Sequence, residues 1–76
     1  MTFTSYHIQL MFDIRNKVAK YNTYSAKKQM AINNLTAAGM VKTDDEFFVY
    51  NSEVGDRVLD ALVDVFNLNI SNYILK

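Results

Sequence analysis

Residues 31–50 read AINNLTAAGMVKTDDEFFVY. A helical run meets one of the chain's two glycines, and two apolar residues, a short polar stretch with three acids and an aromatic run follow. Ala31, Leu35 and Ala38, with Ile32 beside them, recur at three- and four-residue steps, which places them on one helix face. Gly39 stands where a helix closes on a left-handed residue, a conformation that glycine adopts without steric cost. Segments 40–43 and 46–50 are built of strand formers, Phe47, Phe48, Val49 and Tyr50 above all, and Asp44 and Asp45 supply a turn between them. The stretch predicts a helix that runs into a β-hairpin.

Upstream, Asn22, Thr23, Tyr24 and Ser25 break the pattern, and Ser25 is an N-cap for a helix reaching Ala38. Before that break, Phe3, Tyr6, Leu10, Ile14, Val18 and Tyr21 form a helical stripe with Met11 at its flank. Ile8 and Phe12 lie on roughly the opposite side. Two arrangements bury both sets. Asp13 caps a second helix, giving helices 4–12 and 14–21, or one long helix has a second buried face. Downstream, Ser52 caps a helix over 53–66. Val54, Val58, Ala61, Leu62, Val65 and Phe66, widened by Leu59 and Val63, cover about half its circumference, which is broader than a stripe facing one core. Either a second copy covers the excess, with Leu59, Val63 and Phe66 at a dimer interface, or the hairpin and the tail from Leu68 to Leu75 do. Asn67 is the expected helix end, with a strand at 68–70 or a last short helix after it.

These elements define a mostly α, α+β fold with one small hairpin, preceded by three helices or two. At 76 residues the chain is a single domain over 1–76. Apolar residues make up 50% of it, enough for a core. There is no cysteine, hence no disulfide, thiol nucleophile or cysteine–zinc site. No cationic N-terminal region precedes a secretory apolar run, and no run is long enough to span a bilayer, so the expected location is the cytoplasm. His7, the sole histidine, falls inside the first apolar stripe without carboxylates at ligand spacing and reads as structural. No hydrolase, phosphate-loop or metalloprotease motif occurs. Asp60 and Asp64 share a solvated helix face, and Tyr21 and Tyr24 read as core or rim residues. The expectation is a non-enzymatic protein without cofactor or metal.

Net charge is zero, yet it is segregated. Residues 1–42 carry Arg15, Lys17, Lys20, Lys27, Lys28 and Lys42 against Asp13, a net +5, and residues 43–76 are net −5. A polyanion on the basic half is one meaning of such asymmetry, and solvated faces or attraction between the halves are others.

The order helix, helix, turn, helix, hairpin, helix resembles a winged helix-turn-helix domain over about residues 14–50. VAKYN, residues 18–22, resembles the end of a positioning helix and its turn. SAKKQMAINNLTAAGMV, residues 25–41, is similar to a recognition helix entering a wing through Leu35, Gly39, Met40 and Val41. Three features depart from the family: the turn carries Asn22 rather than glycine, the spacing from it to the apolar residues of the next helix is off by about one residue, and the wing tip Asp44-Asp45-Glu46 would repel phosphate.

The resemblance implies a dimeric, double-stranded-DNA-binding transcriptional regulator. Lys17, Lys20, Lys27, Lys28 and Lys42 would meet phosphates, and Gln29, Asn33 and Asn34 are types that pair with adenine edges. The rival expectation is a phage-type inhibitor or adaptor. Its acidic residues Asp44, Asp45, Glu46, Asp56, Asp60 and Asp64 would grip a basic host protein.

Overall fold

A computed structural model describes the backbone of residues 4–74 and the side chains through residue 65. Three helices and a three-stranded antiparallel sheet make a mostly helical α+β fold, in the order α1 (Ser5–Asn16), β1 (Ala19–Lys20), a 3₁₀ turn (Tyr21–Thr23), α2 (Ala26–Ala37), β2 (Val41–Thr43), β3 (Phe48–Asn51) and α3 (Glu53–Ile74). The strand order β1-β3-β2 puts the last strand in the middle.

The N-terminal region corrects both helical boundaries expected there. Helix α1 runs through Asp13 without a break and stops at Asn16. It does not reach Tyr21 because Lys17 turns extended, and Ala19 and Lys20 pair with Val49 and Phe48. Partnering the free edge of β3 satisfies backbone groups that a longer α1 would leave open. Residues 18–22 are thus a strand and a 3₁₀ turn, not the end of a positioning helix. Leu10, Met11 and Ile14 are buried, while Val18, expected in the stripe, is exposed. Ile8 and Phe12 are half-buried along a groove shared with Leu62 and Val63 of α3, so one helix has two covered faces. Phe3 lies outside the described residues. The Nδ1 atom of His7 accepts from the Thr4 backbone N–H at 3.3 Å, a structural role at the start of α1.

Ser25 caps α2, its hydroxyl accepting from the Lys28 backbone N–H. Ala31, Ile32 and Leu35 enter the core, but Ala38 is the exposed C-cap. Gly39 has φ +79, and the N–H groups of Gly39 and Met40 bond the carbonyls of Thr36 and Leu35. Those two bonds are the Schellman closure of a helix end. The hairpin turn is longer than two residues. Asp44 Oδ1 accepts from the N–H groups of Glu46 and Phe48, so Glu46 and Phe47 belong to the turn and β3 begins at Phe48.

Ser52 caps α3 by accepting from the Gly55 N–H, and it donates to the Gly39 carbonyl. The helix passes Asn67 and continues to Ile74, longer than expected, so the tail at 68–70 is helical. Gly55 and Leu59 form its buried contact, and Val54, Leu62 and Val65 remain exposed. Gly55 is required by proximity. A Cβ there would lie 2.1 Å from the Met40 carbonyl oxygen, which already accepts from the Ser52 N–H.

The two glycines differ in kind, and their alanine variants should separate. Gly39→Ala meets no atom and is strained only by its φ, so a loss of about 1 kcal/mol is expected. Gly55→Ala drives a methyl into backbone and should cost about 1–3 kcal/mol or more. Urea denaturation of both variants checks the order, and equal losses would contradict it.

Candidate nucleic-acid interface

Strand alternation divides β3. Val49 and Asn51 face the helices, and Asn51 donates through Nδ2 to the Met11 carbonyl at 2.9 Å, tying the sheet to α1. Phe48 and Tyr50 face the other way. Lys20 stands directly across from Phe48 and Lys42 across from Tyr50. Each ammonium rests over the opposite ring, at 5.3 Å from the Phe48 centroid and 5.1 Å from that of Tyr50. The outer sheet face is therefore two aromatics flanked by two lysines, each pair contributing about 0.5–1 kcal/mol. Lysine stems shield ring surface while the charged heads stay in water.

A second surface is the outward side of α2, where Lys27, Met30, Asn33, Asn34 and Ala37 are exposed. Met30 is 69% exposed, so nothing among the described residues covers the middle of this face. Lys27 lies 4.7 Å from the Tyr6 ring centroid. Lys28 is half-buried, and Lys17 is exposed between α1 and β1. Among the described residues none of these lysines forms an ion pair; the pairs involve Arg15 and Arg57 only.

Two of the three expected base readers have work within the fold. Gln29 Nε2 donates to the Tyr21 carbonyl at 3.1 Å, and Asn33 Oδ1 accepts from the Tyr21 hydroxyl at 3.2 Å. Both clamp the 3₁₀ turn against α2. Asn34 forms no such bond among the described residues and stands at an exposed position. Tyr24 packs against the core, and burial first, then the Asp13 carboxylate, pushes its hydroxyl above the usual tyrosine range. It stays a neutral donor at ordinary pH.

The acidic set is likewise divided. Arg15 reaches Asp56 at 3.2 Å and Asp60 at 3.0 Å, and also donates to the Asp56 carbonyl. Both carboxylates are more than half exposed, so each pair contributes little, on the low side of about 0.2–1 kcal/mol. Asp44 is engaged by its own hairpin, which leaves Asp45, Glu46 and Asp64 exposed and without a described ion pair. Of the residues expected at a dimer interface, Leu59 is 0% exposed and belongs to the chain's own core, because the Gly55–Leu59 face of α3 packs inward. Val63 is half-buried, and the Phe66 side chain lies outside the described residues.

Comparison with protein-family models, with curated proteins and with solved structures finds no match. Among the described residues no helix is long and apolar enough to cross a membrane.

The α2 polar residues should separate by their partners. Gln29→Ala and Asn33→Ala are each expected to lose about 0.5–1.5 kcal/mol, the worth of a hydrogen bond, with the larger loss at half-buried Gln29. Asn34→Ala is expected within about 0.5 kcal/mol of the parent. Thermal melts of the three variants measure this, and a destabilised Asn34→Ala would remove the distinction.

Proposed function

We propose that the chain is a small winged-helix-like protein that binds duplex DNA as a transcriptional regulator, with α2 as the reading helix. The observation that carries this reading is the open face of α2, where Lys27, Met30 and Asn34 stand uncovered beside small Ala37. A helix of this width with a small, polar and cationic face fits the major groove, where asparagine pairs with adenine and lysine meets phosphate. The order α1, β1, α2, β2, β3 with β3 central is compatible with a winged-helix layout. The 3₁₀ turn occupies the place of a separate positioning helix, so the helix-turn-helix pair is reduced.

Lys17, Lys20 and Lys42 extend the cationic surface from the connection after α1 to both outer strands. The hairpin tip does not share in it, because Asp45 and Glu46 are exposed acids there. In this reading the wing contacts DNA through its stem lysine, Lys42, and the tip points away. Dimerisation belongs to the same proposal. Exposed Leu62 and Val65 with half-buried Val63 give α3 an apolar side for a second copy, in place of the core residue Leu59.

Fluorescence anisotropy with mixed and AT-rich duplexes at low salt tests the reading. Binding should fall steeply with salt, with a log–log slope of about −4 for four to five phosphate contacts, and Lys27→Ala should reduce the slope by about 1. Asn34→Ala should cost about 1–3 kcal/mol on its preferred sequence while leaving the salt slope unchanged. Absence of binding to either duplex at low salt would end the proposal. Sedimentation should show a dimer that Leu62→Glu splits, and a monomer across the whole concentration range would remove the dimer from it.

A further inference from the structure

We propose that the hollow at the β1 edge of the hairpin seats an unpaired nucleobase, making this end of the sheet a binding site for single-stranded nucleic acid. The inference starts from Phe47. Its φ is +67, in the left-handed region. The Asp44 N–H bonds the Phe48 carbonyl at 3.0 Å and closes a three-residue loop, 45–47, whose last position such loops usually give to glycine. The conformation is held from both sides. The Phe47 N–H bonds the Asp44 carbonyl at 3.0 Å, and the Phe47 carbonyl accepts from the Tyr21 N–H at 2.8 Å.

A side chain at that φ costs stability, and a ring left in water returns none of it. Phe47 is 66% exposed, so the fold is burdened by this residue on both counts. Local strain that serves no packing marks a place where a contact outside the chain accounts for the residue.

The surroundings identify the contact. The ring borders a hollow of about 370 Å³ with Tyr21, Lys20, Asn22 and Glu46. The exposed Phe47 ring offers a stacking face for a flat aromatic ligand beside Tyr21, the way bases are held when they leave a stack. Asn22 offers a donor and an acceptor to a base edge. Glu46 accepts only, so the rim suits a base amino group and disfavours a phosphate inside the hollow. The phosphates would lie outside, on Lys20 and along the outer sheet face towards Lys42. Neither lysine has a carboxylate partner among the described residues.

This site goes beyond the duplex reading and does not depend on it, because a duplex offers a base to the hollow only at the cost of unstacking and unpairing it. The decisive variant is Phe47→Gly, which removes the ring and the strain together. It should melt at or above the parent temperature and still lose roughly tenfold in affinity for a short oligothymidylate or oligouridylate, read by anisotropy on the full chain. Phe47→Leu, which keeps apolar bulk without a ring, should lose a similar factor, and Phe47→Trp should retain binding. The tighter of the two oligonucleotides names the source as DNA or RNA. Asn34→Ala should leave oligonucleotide binding unchanged, and Phe47→Gly should leave duplex binding unchanged, which separates the two surfaces. A folded Phe47→Gly protein that binds both oligonucleotides as well as the parent overturns the proposal, as does a parent that binds neither.

Discussion

Strand β3 is the constraint on which the other parts depend. It is only four residues long, yet it pairs with both other strands, and its alternation sorts the molecule into inside and outside. Val49 and Asn51 turn towards the helices, and half-buried Phe48 and Tyr50 lie on the opposite side with Lys20 and Lys42 across from them. A slip of one residue would exchange these sets, placing lysine-flanked aromatics against Leu10 and Ile14 and an asparagine on the surface. The Asn51 amide on the Met11 carbonyl holds the correct register from within the core. The cationic outer face is thus a consequence of the same pairing that closes the core.

A second junction fixes where α3 leaves the sheet. The end of α2, the start of β2 and the first turn of α3 meet around the Met40 carbonyl, which accepts from Ser52 and lies against Gly55. Both glycines of the chain serve this place, Gly39 by its φ and Gly55 by the space it leaves. Ser52 joins them, bonding the Gly39 carbonyl and the Gly55 N–H through one hydroxyl. The direction of α3 follows, with Leu59 in the core and the acidic side of the helix near Arg15. Arg15 is thereby engaged with Asp56 and Asp60, and among the described residues the cations of the basic half without an ion pair are the lysines.

Much of this was legible in the sequence because it rests on local chemistry. The capping role of Ser25 and Ser52, the closure at Gly39, the apolar face of α2 and the turn at Asp44-Asp45 all announce themselves within a few residues. What was not legible depends on partners distant in sequence. VAKYN has the periodicity of a helix end, but the open edge of β3 takes Ala19 and Lys20 as a strand, and no nearby residue signals that. Leu59 belongs to a stripe too wide to resolve by periodicity alone, and the clash-free crossing at Gly55 decides which part of it turns inward. Gln29 and Asn33 have the same residue types as base readers, and only the position of Tyr21 shows that they serve the fold. Phe47 read as a strand residue because phenylalanine favours strands; the Asp44 carboxylate, bonding two backbone N–H groups, draws it into the turn instead.

Charge segregation along the chain becomes spatial segregation in the fold, with lysines on α2 and the outer sheet face and acids on α3 and the hairpin tip. The central claim is that the first of these surfaces meets nucleic acid. Amide chemical-shift mapping of the labelled chain against an AT-rich duplex tests it most directly. The largest changes should fall on Lys27, Met30, Asn34 and Lys42, with α3 silent apart from any change in its self-association. Changes concentrated on Asp56, Asp60 and Asp64, or none at any duplex concentration, would contradict it.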